Sequence, residues 1–90
     1  MNIIVSFESR GSLYVQFSDI QVARTVELIK DELLFDLDEY NNVIGIEAFT
    51  PGMLTLAFQR IPETYRLPEE ARLINFEALD KALIRAGVGA

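Results

Sequence analysis

The acidic side chains that could do chemistry lie in one stretch of the chain, at Asp36, Asp38 and Glu47. On a strand, Asp36 and Asp38 would project from the same face with about 7 Å between their Cα atoms, given a rise of about 3.3 Å per residue. Glycosidases use carboxylate pairs at comparable separations, but they also need a cleft and a carboxyl group with a raised pKa. A domain of 90 residues has little room for such a cleft. We therefore do not expect this pair to hydrolyse glycosides.

The same three carboxylates match the ligand spacing of an EF-hand calcium loop, where they would occupy positions 1, 3 and 12. Position 6 of that loop is glycine because the backbone turns sharply there, whereas this chain has Asn41 at that position. The flanking residues have the pattern of strands, whereas an EF-hand loop joins two helices. We therefore expect no metal site, and interpret the carboxylates as an acidic patch on a solvated sheet face.

The composition excludes other kinds of active site. The chain has no His and no Cys. It therefore lacks the commonest general base near neutral pH, the commonest metal ligand and any thiolate nucleophile. Its serines have no imidazole to activate them, and no Gly-rich loop is present to bind phosphate. We predict a protein that is not an enzyme and that binds no cofactor.

The net charge of −6 is unevenly distributed. Residues 1–52 contain nine acidic and three basic side chains, whereas residues 53–90 contain five of each. An acidic surface repels phosphate backbones, so we expect no nucleic-acid partner. It suits a basic partner, and it also keeps an apolar protein soluble. With no long apolar run and no secretion signal at the N-terminus, we expect a cytoplasmic protein that does not bind membranes.

Alternating apolar and polar residues predict an antiparallel sheet of about four strands. Residues 2–8 and 13–18 form the first predicted hairpin, and residues 33–38 and 43–47 form the second. Residues 25–28 are a candidate for a further short strand. Because the apolar side chains alternate with acidic ones in the second hairpin, one face of the sheet is predicted to be apolar and the other acidic.

The pattern changes from strand to helix at residue 50. Thr50 is a predicted N-cap and Pro51 suits the first turn, so we predict a helix over residues 51–60. The alternative, a further strand over residues 53–58, is left open by the sequence. This choice decides which face of the sheet remains free for binding.

The second predicted helix covers residues 75–86, with Asn75 as its N-cap. We therefore predict a single α+β domain over residues 1–90. Its first part, residues 1–50, is an antiparallel β-meander of about four strands. Its second part, residues 51–90, is a mainly helical extension with two helices packed on one face of the sheet.

Three motifs occur in order in the first fifty residues. They are a Leu-Tyr segment at 13–17, a Thr-x-Glu element at 25–27, and an Asp-x-Asp strand at 36–38 followed by Gly-Ile-Glu at 45–47. In this order and spacing they resemble the prokaryotic family known as domain of unknown function 2283. The resemblance covers about residues 1–50. It implies a small α+β fold. It gives no basis for assigning an activity or a catalytic residue.

The chain departs from the family pattern at the second hairpin turn, where Asn41 and Asn42 replace the usual glycine. Asparagine is the next best residue for a left-handed turn position, so we expect the turn to form. Tyr14 and Glu47 occupy the polar positions typical of the family at strand ends. We expect the ring of Tyr14 to pack on the sheet while its hydroxyl remains in water.

Half of the residues are hydrophobic, a high fraction for so small a domain. Small domains have few interior positions, so we expect part of this apolar surface to be buried against another chain. The residues Leu54, Phe58 and Ile61 have helical spacing and form a candidate interaction surface, with the protein core as the alternative. We predict a non-catalytic interaction or regulatory module that self-associates, with a dimer favoured. The alternative function is binding of a small ligand or a divalent metal ion on the acidic sheet face.

Overall fold

The computed structural model describes residues 3–8, 11–50 and 52–85. Five strands are followed by two α-helices with one short 3₁₀ helix between them, so the predicted α+β class is confirmed. In chain order the elements are β1 (Ile4–Phe7), β2 (Leu13–Gln16), β3 (Arg24–Ile29), β4 (Leu33–Leu37), β5 (Val43–Ala48), α1 (Met53–Arg60), the 3₁₀ helix (Glu69–Leu73) and α2 (Phe76–Arg85). None of the helices described is long and apolar enough to cross a membrane.

The strands form one antiparallel sheet in the order β1-β2-β5-β4-β3. This corrects the predicted four-strand meander in two respects. The candidate strand over residues 25–28 exists as β3, and β2, which pairs with β1 on one side, pairs on its other side with β5 instead of β3. Strand β5 is the most buried of the five strands, with five of its six residues buried. It lies at the centre of the sheet, where both of its edges are paired.

The core lies on one face of the sheet. A row of Val15, Ile46 and Phe35 crosses the three central strands, and each of these side chains is buried. Residues directly opposite each other on neighbouring strands share a face, so this row also fixes the register. Helix α1 packs against β4 and β5, and α2 packs against α1. Leu54 and Leu83 extend the same buried cluster into the helices.

Residues 53–60 form a helix, and the strand alternative is therefore excluded. The helix begins two residues later than predicted, with Gly52 at its N-cap in a left-handed conformation (φ 92°). Glycine reaches this conformation without the steric cost that a Cβ would add. The predicted cap at Thr50 is wrong, since its buried hydroxyl has no hydrogen-bond partner among the described residues. Pro51 lies outside the described residues.

The first turn of α1 is capped by a side chain from the other helix. The carboxylate of Asp80 accepts hydrogen bonds from the backbone N–H groups of Leu54 and Thr55, at 3.2 and 3.1 Å. It also accepts a bond of 2.7 Å from the hydroxyl of Thr55. These N–H groups have no partner within the helix, so Asp80 replaces the missing local cap and joins α2 to α1.

Helix α2 begins as predicted. The side chain of Asn75 accepts a hydrogen bond of 2.9 Å from the backbone N–H of Ala78, which confirms it as the N-cap. On the solvent side, Lys81 and Glu77 form an ion pair at 3.5 Å. Because both side chains are mostly exposed, this pair contributes little to stability.

Candidate functional site

Polar side chains from four neighbouring strands meet on the sheet face opposite the core. The strand register explains the meeting, because Tyr14 lies opposite Glu47, and Asp36 lies opposite both Gly45 and Thr25. We refer to these side chains as the outer-face cluster. Its members are Ser12, Tyr14, Thr25, Asp36 and Glu47. All of them stand on rigid strands or directly beside them, so their positions are fixed by the sheet.

Tyr14 lies across the strand next to its own. Its ring covers Gly45 so closely that a Cβ added at that glycine would overlap the phenol oxygen and its carbon Cζ. Its hydroxyl donates a hydrogen bond of 2.5 Å to Oδ2 of Asp36 on β4. The hydroxyl is therefore engaged, contrary to the expectation that it remains in water. The glycine at position 45 is required because no larger residue leaves room for the ring.

Each carboxylate of the cluster accepts a short bond from a hydroxyl group. Oδ1 of Asp36 accepts from the hydroxyl of Thr25 at 2.6 Å, and Oε2 of Glu47 accepts from the hydroxyl of Ser12 at 2.6 Å. Hydroxyl groups bonded to carboxylates form charge-assisted hydrogen bonds, which are shorter and stronger than neutral ones. The cluster is thus held together by its own donors and acceptors.

The pKa of the Tyr14 phenol is raised well above its ordinary value. Burial is the largest cause, followed by the hydrogen bond to Asp36 and the negative charges of Asp36, Glu47 and Glu8. Burial and neighbouring negative charge both disfavour the phenolate. Tyr14 therefore stays neutral and acts as a hydrogen-bond donor, and it is poorly suited to act as a general base.

The comparison with known families concerns the same part of the chain. Residues 7–49 match the model of a family described as protein of unknown function (DUF2283). The resemblance predicted from the sequence is confirmed. The DUF2283 match contains the whole outer-face cluster. No curated protein and no solved structure matches the chain.

The DUF2283 motifs converge in space, with one exception. Tyr14, Thr25, Asp36 and Glu47 all belong to motifs that the sequence indicates, and all four lie in the outer-face cluster. Asp38 does not join them. Strand β4 ends at Leu37, with an irregularity of register just after Asp36, so Asp38 lies beyond the strand. The three predicted carboxylates therefore do not form a single patch.

Asp38 instead organises the turn between β4 and β5. Its carboxylate accepts hydrogen bonds from the backbone N–H groups of Tyr40 and Asn42, at 2.8 and 2.9 Å, and from the amide side chain of Asn42 at 2.9 Å. These hydrogen bonds hold the pKa of Asp38 below its ordinary value, and the bond from the side chain of Asn42 is the largest cause. The positive charge of nearby Arg66 makes a smaller contribution in the same direction. Asn41 takes the left-handed position of the turn (φ 67°). Asparagine thus serves where the family usually has glycine.

The described residues contain no group of three or more acidic side chains that could hold a metal ion. In the outer-face cluster the two carboxylates are each bonded to a hydroxyl donor, which leaves fewer lone pairs for a cation. The side chains that the sequence singles out for metal binding are therefore placed as parts of a hydrogen-bonded sheet face and a turn.

The candidate interaction surface, Leu54, Phe58 and Ile61, is divided between the core and the protein surface. Leu54 is fully buried beneath α1, and Ile61 is half-buried against the core. Phe58 is 43% exposed, with its ring 5.3 Å from that of Phe76. Among these three residues only Phe58 offers substantial surface to a partner.

Proposed function

We propose that this protein is a non-catalytic interaction module whose copies associate through the edge strand β1. The observation behind this proposal is the apolar character of that edge. Ile4, Val5 and Phe7 are 53%, 41% and 54% exposed, although they belong to a strand of only four residues. Exposed apolar side chains that are adjacent in a structure often mark a surface that another protein covers.

The backbone of β1 also has groups available for pairing. The N–H of Glu8 donates to the carbonyl of Ser12 at 2.8 Å, which fixes the hydrogen-bonded positions of the hairpin. In antiparallel pairs these positions alternate, so Ile4 and Ser6 bond to β2 whereas Val5 and Phe7 direct their N–H and C=O groups away from the sheet. A further strand could pair with those outward groups.

The two edges of the sheet differ in their protection against such pairing. The other edge, β3, contains the charged residues Arg24 and Glu27, and its register is irregular between Glu27 and Ile29. Charges and bulges are features by which sheets prevent association at an edge. The strand Ile4–Phe7 has neither charge nor proline nor an irregular register. This contrast favours β1 as the associating edge.

A second copy of the chain fits the β1 edge well. Two β1 strands paired antiparallel about a two-fold axis would place like apolar side chains together, and no pair of like charges would meet within the paired residues. The two sheets would then be continuous, with both outer-face clusters on open sheet surface. The engagement of both carboxylates of the cluster in hydrogen bonds from hydroxyl groups supports a binding role over a catalytic one.

Light scattering on the purified protein and on edge variants tests this proposal. Val5→Pro removes an outward donor, and Val5→Lys places two like charges near the two-fold axis, so both variants should be monomers. Leu73→Lys, at a residue that is 86% exposed outside the sheet, makes a comparable change in charge and should remain a dimer. Circular dichroism verifies that each variant is folded. A wild-type protein that is monomeric at micromolar concentration would contradict the proposal.

A second candidate function is the binding of a small organic ligand at the outer-face cluster. The convergence of the family motifs on an uncovered sheet face favours it. A thermal-shift screen of metabolites, with Ca²⁺, Mg²⁺ and Mn²⁺ included, tests this candidate because a ligand that binds only the folded state raises Tm. The ligand that raises Tm of the wild type should have no effect on the variant Tyr14→Phe/Asp36→Asn. If no compound raises Tm, this candidate is wrong.

A further inference from the structure

A groove lies at the end of the sheet, between residues 20–23 and the turn over residues 38–42. Its volume is about 680 Å³. A smaller hollow of about 230 Å³ adjoins it and shares Ile20, Asp38 and Asn42 with it. Volumes of this order are typical of sites that bind a ligand or a short peptide segment.

Apolar side chains are concentrated at this groove. Ile20, Val22 and Tyr40 all line it, and they are 57%, 42% and 66% exposed. They come from two separate segments of the chain, yet they surround one concave surface. Isolated apolar residues are ordinary on protein surfaces, whereas several around one groove indicate a binding surface.

One wall of the groove has unpaired backbone groups. This wall is the segment over residues 20–23, which comes directly before β3. The N–H of Ala23 donates a hydrogen bond of 2.8 Å to the carbonyl of Leu37, which joins the end of the segment to β4. Within the described part of the chain, the N–H and C=O groups of Gln21 and Val22 have no hydrogen-bond partner. An extended peptide can pair with such groups in the way that it adds a strand to a sheet edge.

The opposite wall is held in place before any ligand binds. Besides the bonds of Asp38 described above, the guanidinium of Arg66 donates to the carbonyl oxygen of Tyr40 and, at 3.1 Å, to Oδ1 of Asn42. The backbone of Arg66 is bonded to that of Asn41 and Val43, at 3.0 and 2.8 Å. A preorganised wall loses little conformational entropy on binding, which favours affinity.

The charges around the groove favour a basic ligand. Glu39 lines the groove and Asp19 flanks it, and neither carboxylate has a partner among the described residues. The cationic side chains nearby are already engaged, Arg66 as above and Arg24 with Oδ1 of Asn41. With Asp38 there are three carboxylates for two guanidinium groups, and residues 1–52 contain nine acidic side chains against three basic ones.

We propose that this groove binds an extended peptide segment in which an apolar side chain is adjacent to a lysine or arginine. The apolar side chain would contact Ile20, Val22 and Tyr40, and the cation would face Glu39. The peptide backbone would pair with Gln21 and Val22. This site is separate from the β1 edge, so the monomeric Val5→Pro variant should bind the peptide as the wild type does.

Fluorescence anisotropy with a short labelled peptide of alternating leucine and lysine tests the proposal. Ile20→Ser removes an apolar contact, and we expect binding about tenfold weaker. Glu39→Lys should weaken binding and also reduce its dependence on salt concentration. The matched controls are Ile84→Ser, at an apolar residue of α2 that is 62% exposed, and Glu77→Lys, which makes the same change in net charge. Both controls should bind as the wild type does.

Three results would overturn this inference. The first is a wild-type protein that does not bind the leucine–lysine peptide. The second is equal binding of a peptide in which glutamate replaces each lysine. The third is unchanged binding by both Ile20→Ser and Glu39→Lys, which would show that the peptide is held elsewhere on the acidic surface.

Discussion

The hydroxyl of Tyr14 reaches over Gly45 and donates a hydrogen bond of 2.5 Å to Asp36. A side chain of β2 is thereby bonded to a side chain of β4, across the backbone of the strand between them. The hydroxyl of Thr25 on β3 extends this connection to the edge of the sheet, because it bonds the other oxygen of Asp36. Three strands are thus linked by side-chain hydrogen bonds, which cross the backbone of a fourth.

The first prediction concerns the contact of Tyr14 with Gly45. Gly45→Ala should displace the ring and break its bond to Asp36, with a loss of stability of about 1–3 kcal/mol. Tyr14→Phe keeps the ring and removes only the hydroxyl, so it should cost about 1–2 kcal/mol. Urea denaturation monitored by circular dichroism measures both effects.

A double-mutant cycle distinguishes steric overlap from a general cost of alanine in β5. In the background of Tyr14→Ala the ring is absent, so adding Gly45→Ala should cost much less than it does in the wild type. Equal costs in the two backgrounds would show that Tyr14 and Gly45 are not coupled.

The second prediction concerns the titration of Tyr14 in alkaline solution. The pKa of this phenol is raised in the folded state, so its contribution to stability is present below the unfolded pKa of about 10 and is lost as the pH rises above that value. The chain has three tyrosines. Absorbance of tyrosinate should therefore show one group that ionises late, together with unfolding. Tyr14→Phe should lack this late phase, and if the late phase remains, the assignment to Tyr14 is wrong.

The third prediction concerns the cap that α2 provides to α1. Asp80→Ala leaves the N–H groups of Leu54 and Thr55 without their acceptor in a buried position, and we expect a loss of about 2 kcal/mol. Asp80→Asn keeps an acceptor but removes the charge, so it should cost less than Asp80→Ala. Glu77→Ala, on the exposed side of α2, should change the free energy of unfolding by less than about 0.5 kcal/mol.

A local origin of this effect can be tested by hydrogen exchange. The amide protons of Leu54 and Thr55 should exchange faster in Asp80→Ala than in the wild type. The exchange rates of amide protons in the central strand β5 should change only as far as the global stability of the protein changes. Unchanged protection at Leu54 and Thr55 would mean that Asp80 does not cap α1.

The sequence was sufficient for the features that depend on local pattern. Alternating residues predicted the strands, and Asn75 was recognised as a helix cap because its acceptor and donor are close in sequence. The order of the strands could not be predicted in this way. The alternation in β2 is the same whether its neighbour is β3 or β5, and pairing of distant strands depends on how the whole core is buried.

The outer-face cluster was predicted in part. The motifs contained Tyr14, Asp36 and Glu47, but nothing in the local sequence shows that a tyrosine ring will cover a glycine thirty-one positions further along the chain. Asp38 was wrongly grouped with Asp36 because the spacing assumes a regular strand, and β4 ends between them. The capping role of Asp80 was missed for a similar reason, since its partners belong to another helix.

The fourth prediction concerns stability in acid. The pKa of Asp38 is lowered by its hydrogen bonds, chiefly the bond from the side chain of Asn42, and burial opposes this effect only in part. A carboxyl group of lowered pKa contributes stability above its unfolded pKa of about 3.9, and that contribution is lost as the pH falls through the folded value. The contribution of Asp38 to the stability of the wild type should therefore be lost below about pH 4.

Urea midpoints measured at several pH values compare the wild type with two variants. Asp38→Asn removes the titrating group, so it should be less stable than the wild type at neutral pH, and the difference should shrink as the pH falls. Glu39→Gln, at the exposed neighbouring position, is the control and should follow the pH dependence of the wild type. A constant difference between Asp38→Asn and the wild type at all pH values would show that ionisation of Asp38 does not stabilise the turn.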